Sequence, residues 1–415
     1  MGTTTASFAA TSASTRWFQL LLGLVCMMAI SSPQYVWTLF AKPFGAALGA
    51  SAAGIQVTFS LLIVLQTFFS PFQGWLIERF GPRWLIAAGC ALTGLSWVVA
   101  SQIGSLWGLY LSYGLLGGIG TGIVYIGVVG QMVRWFPDRR GFAAGVVAAG
   151  YGMGAIMTTF PISDTLTESG LQTTLFRWGL ILGAIGVVAA LGLRSPPLQT
   201  DQVRLRDAGM SVTPGVMLRS PIFWLMFVMM TLMSTSGLMV TSQLSAFAGD
   251  FGVAKVMVWG MAAVPLALTV DRFCNGLTRP FFGWVSDRIG RENTMAIAFA
   301  LEGLAMTAWL LTRTDPVLFV LLSGLVFFGW GEIFSLFPST LTDTFGPQHA
   351  TKNYGVLYIA QGIGAIFGGP MASLLHEAGG SWIPVFGVAI AADLITALLA
   401  ILVLKPMRAR YRVPA

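Results

Sequence analysis

The sequence predicts an all-α membrane protein with twelve transmembrane helices in two pseudo-symmetric six-helix bundles, and three observations support this fold class. The 415 residues are 55% hydrophobic and only 9% charged, with a mean hydropathy of +0.77, whereas about a quarter of the residues in a soluble protein are charged. Twelve apolar segments recur along the chain, and a bilayer crossing takes ~20 apolar residues. Motifs of the first six segments also repeat in the last six.

Short polar breaks separate the apolar segments. The twelve segments span residues 17–40, 54–77, 84–103, 107–134, 141–163, 176–194, 222–247, 257–285, 293–312, 316–340, 353–375 and 383–404. The longest polar stretch follows the sixth segment. The predicted organisation is an N-terminal tail at 1–16, a first bundle at 17–194, a central loop at 195–221, a second bundle at 222–404 and a C-terminal tail at 405–415.

Basic residues predict the orientation in the membrane. Of the 23 Lys and Arg residues, 17 lie on the side that carries both termini and four lie on the opposite side. Because loops rich in Lys and Arg stay in the cytoplasm, both termini are predicted to be cytoplasmic, in a bacterial inner membrane. The net charge of +7 resides in these loops and therefore does not predict nucleic-acid binding.

An internal repeat relates the two halves. Ser70–Gly81 aligns with Arg279–Gly290 at an offset of 209 residues, and Gly145–Ile156 aligns with Gly355–Ile366 at an offset of 210. Nearly equal offsets at two distant places indicate a structural repeat. Two similar halves around a central loop are typical of transporters that move about a site at the bilayer midplane.

The eighth segment contains charges that an apolar helix should not carry, namely Asp271, Arg272 and Arg279. A charge near the bilayer centre costs at least ~2.5–3.5 kcal/mol, so it faces a polar cavity or a partner. Arg272, Asn275 and Arg279 share one helical stripe. This pattern predicts an anion site at Arg279 and Asn275, and the alternative is an arginine paired with a neighbouring carboxylate for structure alone.

Other chemistry has little support in the sequence. The three cysteines are scattered in apolar runs, and the histidines, His349 and His376, are far apart, so neither residue type has the spacing of a metal or redox site. We predict no metal, no cofactor and no enzymatic activity, because a membrane enzyme would need a metal cluster or a nucleophile–base pair. A passive anion channel is the third class, and saturable exchange kinetics would distinguish a carrier from it.

Two loops at matched positions carry glycines, an acid and arginines. They resemble the cytoplasmic loop signature of the major facilitator superfamily, whose fold the resemblance implies. An acid at the helix end and basic residues across the loop can hold neighbouring helices together in one state. The predicted latch residues are Glu78, Arg79, Asp287, Arg288 and Arg291.

A narrower resemblance covers residues 16–404. The residues that carry it are Ser32–Tyr35, Arg134–Gly141, Asn275–Pro280, Trp330-Gly331, Phe337–Thr340 and Asn353–Gly355. This pattern resembles the oxalate:formate antiporter family. The pattern of the eighth segment is also similar to the monocarboxylate transporters, which place an acid four residues before the arginine, where this chain has Asn275.

The resemblance implies an anion pocket. Together with the positions at which this chain departs from the family, the predicted substrate-binding residues are Arg279, Asn275, Gln34, Tyr35, Gln56, Tyr125, Tyr151, Trp330, Phe334 and Gln361. The departures are Gln361, where the oxalate antiporter has a lysine, and Phe334, where it has a tyrosine. One guanidinium group neutralises one carboxylate, so the sequence favours a monocarboxylate of the formate, lactate or pyruvate class. The alternative is an oxalate/formate-type or other dicarboxylate exchanger.

Four carboxyl groups also lie in apolar segments, at Asp271, Glu302, Glu332 and Asp393. Burial favours the neutral form of a carboxyl group, which offers a route to proton coupling. Asp271 and Glu332, with Arg272, are the predicted proton-coupling residues, whereas Glu302 and Asp393 are expected to be structural. The expected partners are a small carboxylate anion, a proton and the lipid bilayer, and the protein is expected to be a monomer.

Overall fold

A computed structural model describes residues 4–196 and 211–411. The predicted tails and central loop lie partly outside these residues, at 1–3, 197–210 and 412–415. The described part of the chain is almost entirely helical, as the hydropathy predicted.

The first half of the chain forms six membrane-crossing helices, several of them interrupted. Their bounds are α1, in three pieces (Thr4–Ala29, Ser32–Tyr35, Trp37–Leu48); α2, in two pieces (Ala52–Phe68, Ser70–Phe80); α3 (Pro82–Ala100); α4 (Leu106–Leu109, the π-helical Tyr110–Leu116, and Gly117–Trp135); and Arg140–Leu191, which is divided at Gly170 into α5 and α6.

The second half forms six more. A short helix, Pro214–Met217, precedes them. The remaining bounds are α7 (Pro221–Asp250), α8 (Ala263–Ile289), α9 (Arg291–Leu311), α10 (Pro316–Trp330 and Ile333–Phe345), α11 (Ala350–Gly379) and α12 (Ile383–Leu399, the π-helical Ala400–Leu404, and Lys405–Arg410).

Twelve crossings account for these helices. In the described ranges, nine helices are long and apolar enough to span a bilayer, and the two pieces of α2, which bend by 53°, add a tenth. Gly170 has φ 77° and ψ 174° and breaks the 52-residue helix into two crossings. The remaining crossing is α8, whose internal charges lower its hydropathy. The predicted all-α fold with twelve transmembrane helices is confirmed.

Two segments differ from the prediction. The first segment is interrupted near Ser31 and Val36 instead of running as one helix. The eighth begins at Ala263 and not at 257, because Met257–Val258 and Met261–Ala262 pair as an antiparallel hairpin. Trp259 and Gly260 between them have φ values of 49° and 84°. Positive φ at both central residues is the geometry of a type I′ turn, whose twist matches that of the paired strands, so these six residues leave the helix.

Helices of the two halves pack against each other along two repeat-related pairs. Helix α5 packs on α8, and α11 packs on the two pieces of α2. Smaller contacts join α4 to α11 and the second piece of α10 to α5. These helices surround the level of Arg279, so any site at that level is built by both halves.

Glycines allow this close approach at equivalent positions of the repeat. A Cβ atom on Gly145 in α5 would lie 2.2 Å from the carbonyl oxygen of Arg279, and one on Gly355 in α11 would lie 2.5 Å from that of Ser70. Gly145 aligns with Gly355 and Ser70 aligns with Arg279 in the repeat. The two interfaces are therefore the same contact made twice, which is the structural form of the pseudo-symmetry.

Candidate functional site

Arg279 is the most buried cationic side chain at the centre of the molecule, with 1% of its surface exposed. Its Nη2 group donates a hydrogen bond of 2.7 Å to Oδ1 of Asn275, one turn earlier on α8. Its Nη1 group donates one of 2.6 Å to the carbonyl oxygen of Ala148 on α5. The guanidinium carbon lies 4.5 Å from the centre of the Phe334 ring. One side chain thus links both halves.

The charge of Arg279 has no carboxylate partner among the described residues. The ion pairs found there do not involve Arg279, and its Nε group has no hydrogen-bond acceptor. A buried charge without a counter-ion is costly, and neutral acceptors only partly replace water. The guanidinium group therefore retains both the charge and a free N–H donor to bind an anion.

A layer of tyrosine and glutamine side chains extends from this cation into the first half. The hydroxyl group of Tyr151 on α5 donates a 2.5 Å hydrogen bond to Oε1 of Gln34 on α1. The Tyr151 ring packs edge-on against Tyr35 at 5.5 Å and against Tyr125 at 5.2 Å. The sequence-predicted residues Gln34, Tyr35, Tyr125 and Tyr151 are thus brought together on three helices.

Two further polar residues join this layer, and the sequence analysis did not single them out. Nε2 of Gln66 on α2 lies 3.2 Å from the Tyr151 hydroxyl oxygen and 3.4 Å from that of Tyr358 on α11. The Tyr358 ring stacks on Tyr125 at 4.9 Å. A signal for Tyr358 existed, since it lies one helical turn before Gln361 on the same face; Gln66 was visible only as an amide in an apolar segment.

Aromatic rings connect the tyrosine layer to the cation. The Tyr125 ring lies 6.4 Å from Phe334, which stacks on Arg279, and Phe334 meets Trp330 edge-on at 6.0 Å. The Trp330 indole donates to the carbonyl oxygen of Met233 at 2.9 Å, so its N–H is already satisfied. Phe334 and Trp330 form an apolar wall beside the guanidinium group.

Within the described residues, three other predicted site residues make no hydrogen bond to this layer. Gln56 is exposed and accepts a 3.4 Å hydrogen bond from the indole of Trp37, which is not one of the residues around Arg279. Gln361 is half-buried, and its Oε1 atom has no hydrogen bond within the described chain. Arg272 is half-buried on α8.

Both predicted proton-coupling acids are buried. Asp271 is 4% exposed, and neither of its carboxyl oxygens has a hydrogen bond in the described ranges. The nearby Ser323 hydroxyl group donates instead to the carbonyl oxygen of Val320 at 2.9 Å. Glu332 lies at the break between the two pieces of α10 and is fully buried, also without a hydrogen-bond donor to its oxygens among the described residues.

Ion pairs close the face of the molecule that carries both termini, hereafter the terminal face. The carboxylate of Asp287 on α8 accepts the backbone N–H groups of Gly141 and Phe142 at 3.0 and 2.9 Å. Arg291 pairs with Asp287 at 2.6 Å and with Asp343 at 2.8 Å. Asp343 pairs in turn with Arg140 of the first half at 2.6 Å. This network joins the start of α5 to α8, α9 and α10.

A second group of ion pairs closes the other repeat-related interface. Glu78 on α2 pairs with Nζ of Lys352 at 2.9 Å, and Nδ1 of His349 lies 3.2 Å from the same carboxylate. The predicted latch residues Arg79 and Arg288 make different contacts: each guanidinium carbon lies over the ring of a tryptophan on its own helix, Trp75 at 5.3 Å and Trp284 at 3.9 Å. Within the described ranges, these two arginines thus make cation–π contacts with exposed tryptophans and not ion pairs between the halves.

Comparison with known proteins decides the family. The family model for the Major Facilitator Superfamily matches residues 19–270 and 259–414 of this chain. The chain belongs to the major facilitator superfamily. It is a multi-pass membrane transporter of that superfamily. The resemblance to the superfamily that the two loops indicated is confirmed.

Individual members of the superfamily support the narrower resemblance. The oxalate:formate antiporter of Oxalobacter formigenes is 33% identical over 361 residues, which cover 87% of this chain and 85% of that protein. Monocarboxylate transporter 13 of Bos taurus is 26% identical and is covered to 80%, with 84% of this chain matched. The predicted resemblance to both groups is confirmed.

A solved structure of a major facilitator protein supports the fold. The structure of the proton:xylose symporter XylE bound to 6-bromo-6-deoxy-D-glucose matches with a TM-score of 0.71 over 94% of this chain and 95% of that one. The sequence identity is 13%, so the likeness concerns the arrangement of the helices and not the pocket.

The closed terminal face leads to a first prediction. Replacing Asp287 with Asn removes the charge that faces the N-terminus of α5 and the Arg291 side chain, interactions worth about 1–2 kcal/mol together. The closed state should lose population by about 5- to 30-fold. The measurement is the distance distribution between spin labels at Arg83→Cys and Ile289→Cys, two exposed positions in different halves, with Cys274 replaced by Ser.

The control variant is Asp138→Asn. Asp138 pairs with Arg16 at 2.9 Å within the first half, so the same change of charge there leaves the interface between the halves intact. Equal distance distributions for Asp287→Asn and Asp138→Asn would show that Asp287 does not hold the halves together.

Proposed function

We propose that this transporter moves a small monocarboxylate, of the formate, lactate or pyruvate class, together with a proton by alternating access. The observation that supports this most directly is the Arg279 guanidinium group, buried between the halves with an open Nε donor and no carboxylate partner among the described residues. A planar guanidinium group binds one carboxylate through two parallel hydrogen bonds.

The surroundings of Arg279 suit a short substrate. Phe334 covers one face of the guanidinium group and excludes water, which strengthens the ion pair. Asn275 holds Nη2 in place, so the cation is oriented before the anion arrives. The layer of Gln34, Gln66, Tyr125, Tyr151 and Tyr358 offers neutral hydrogen-bonding groups to the rest of the substrate. Tyr35 and Trp330 border this region through ring contacts with Tyr151 and Phe334.

Alternating access follows from the placement of the site. Arg279 belongs to the second half and its acceptor Ala148 to the first, so an anion bound at Arg279 would compete for a contact that joins the halves. The ion pairs of Glu78, Asp287 and Arg291 then act as the latch of the terminal face, which we place in the cytoplasm of a bacterial cell from the distribution of Lys and Arg. The two bundles, 17–194 and 222–404, would move as units in a monomer.

Proton coupling is the finer part of the proposal. Asp271 and Glu332 are both buried: Asp271 lies about two helical turns before Arg279 on α8, and Glu332 follows Gly331, which packs on α8 at Asn275. Arg272 adjoins Asp271 in the sequence. A carboxylate that enters with a proton crosses the membrane without net charge, which avoids the cost of moving a bare anion.

An oxalate/formate-type exchanger is the second candidate, because the antiporter of Oxalobacter formigenes is 33% identical over most of both chains. Gln361 is the residue that weighs against a dianion, since a neutral amide cannot offset a second negative charge. Arg272 would have to supply that charge.

Purified protein tests the substrate class. Thermal stability should rise with formate, acetate, lactate, pyruvate or glycolate, since a ligand present at 100 times its Kd stabilises by about 2.7 kcal/mol, and the rise should be larger than with oxalate. In proteoliposomes, an inward proton gradient should drive accumulation of the stabilising acid. Uptake that ignores the pH gradient but requires a carboxylate inside the vesicle would instead establish exchange, and stabilisation by no acid would refute the proposal.

A further inference from the structure

Three acids meet inside the second half, away from the tyrosine layer. Glu302, Glu332 and Asp393 lie near the middle of α9, α10 and α12, and all three are 0% exposed. Small residues bring their helices together at the acids themselves. A Cβ atom on Gly329 would lie 2.7 Å from Cβ of Glu302, and one on Gly303 would lie 3.3 Å from Cβ of Asp393.

All six carboxyl oxygens of these residues lack a hydrogen-bond partner in the described part of the chain. The hydroxyl group of Ser236 on α7 faces Asp393 but donates to the carbonyl oxygen of Ala389 at 3.3 Å. Buried carboxyl groups almost always have a partner. Three buried acids on neighbouring helices, none with a hydrogen-bond donor in the described ranges, therefore need another way to avoid an uncompensated negative charge.

The charges around the three acids restrict how these groups can be stabilised. Glu302 interacts electrostatically with Asp393 and Glu332, and Glu332 interacts with Asp393 and Arg279. Among the described residues, the charged groups that act on the cluster are thus the three acids themselves and the single cation Arg279, which acts on Glu332. One ionised carboxylate in such a place already costs several kcal/mol, and a second would add repulsion at low dielectric.

We propose that Glu302, Glu332 and Asp393 form a buried proton-binding site that exchanges a proton through Glu332. Protonation removes the negative charge that is costly at a buried site, and it turns one carboxyl oxygen of the acid into an O–H donor. A metal ion fits less well, because the described residues contain no group of three His, Cys, Asp or Glu side chains placed to hold one. The proposal gives Glu302 and Asp393 a role beyond the structural one expected from the sequence.

The cluster is in a position to respond to an anion at Arg279, a step that rests on the proposed function. Gly331, next to Glu332, packs directly on α8: a Cβ atom there would lie 2.6 Å from the carbonyl oxygen of Asn275. Without an anion, the positive charge of Arg279 favours ionised Glu332. When a carboxylate neutralises Arg279, that stabilisation disappears and Glu332 binds a proton, so anion and proton enter together.

The proton site is tested without any substrate. Infrared spectra of the reconstituted protein should contain the carbonyl stretching band of protonated carboxyl groups at neutral pH. The spectrum of the wild type minus that of Glu302→Gln, and the same difference for Asp393→Asn, should each contain this band. Asp315→Asn is the matched control, because Asp315 is an exposed cap of α10 that accepts two backbone N–H groups, a role that Asn also fills.

The result that overturns the proposal is a difference spectrum with carboxylate bands and no protonated carbonyl band, because the acids would then be ionised. The single amide variants preserve shape and volume and are each sufficient for the measurement. If one of them does not insert, the other decides.

Coupling to the anion is tested separately, with a pH-indicator dye in weakly buffered detergent solution. Saturating formate or lactate should cause uptake of roughly one proton per anion bound in the wild type, and none in Glu332→Gln at equal occupancy. Equal proton uptake in both proteins would exclude exchange through Glu332. Absence of anion binding in every protein, together with a positive infrared result, would refute the proposed substrate and leave the proton site standing.

Discussion

Replacing Arg279 with Gln is expected to abolish carboxylate uptake while leaving the protein inserted in the membrane. Gln keeps a hydrogen bond toward Asn275 or Ala148 but loses the charge that an anion needs at a desolvated site. Truncating one partner of a buried charge pair costs about 2–5 kcal/mol, so the Kd for the substrate should rise by about 30-fold or more. Uptake into proteoliposomes and binding by calorimetry are the two measurements.

Arg279→Lys separates charge from geometry. Lysine keeps the positive charge but binds as a point charge and not as a planar fork, so we expect intermediate affinity. Arg313→Gln is the control for loss of an arginine: Arg313 donates to the carbonyl oxygen of Leu310 beyond the end of α9 and has no place in the proposed site. Undiminished uptake by Arg279→Gln would remove Arg279 from the site.

Gly145→Ala is expected to stop transport for a steric reason. The added Cβ atom would lie 2.2 Å from the carbonyl oxygen of Arg279, a backbone atom that cannot rotate away, so α5 and α8 must separate. The closed terminal face should become unfavourable, and the turnover rate should fall at least ~10-fold if the clash costs 1.4 kcal/mol or more, within the usual cost of overpacking. The distance between the spin labels at Arg83→Cys and Ile289→Cys should lengthen.

Two further alanine variants serve as a repeat-related test and as a control. Gly355→Ala makes the repeat-related change in α11, 2.5 Å from the carbonyl oxygen of Ser70, and should produce the same shift. Gly387→Ala on α12 places a Cβ atom in open space and should behave like the wild type. If Gly145→Ala transports at the wild-type rate and keeps the short distance, the closed interface is not part of the transport cycle.

The repeat-related residues Ser70 and Arg279 show how one scaffold acquires a single site. The Ser70 hydroxyl group donates to the carbonyl oxygen of Gly355 at 2.5 Å, and Arg279 donates to that of Ala148 at 2.6 Å. Both side chains therefore connect the halves through a backbone acceptor. Serine is satisfied by this bond, whereas arginine retains a charge and a free donor, so the contact in the second half is the one that can also bind a ligand.

The pH response of the carrier should combine two separate regions of the structure. Glu78 faces His349 and Lys352 at the terminal face, and the carboxyl cluster lies at mid-membrane. The infrared experiment addresses the second region alone, because its bands come from protonated acids and not from the ion-paired Glu78.

The sequence by itself determined the features that depend on local order. Twelve apolar segments predict twelve crossings because each helix must satisfy its own backbone in lipid, and the spacing of Asn275 and Arg279 places both side chains on one face, where they do form a hydrogen bond. The repeat predicted two similar halves. The break near Ser31 and the hairpin at 257–262 were not predicted, since the hydropathy of a whole segment does not show a local change of backbone geometry.

Only the tertiary structure decided which distant residues meet. The acceptor Ala148, the position of Gln66 between Tyr151 and Tyr358, the exposure of Gln56 and the meeting of Glu302, Glu332 and Asp393 all depend on the rotation of each helix about its axis. In a chain of uniformly apolar helices, hydropathy does not specify that rotation, because lipid and protein interior are equally apolar. It is set by close contacts at residues such as Gly145, Gly303 and Gly329, which act only once the helices are packed.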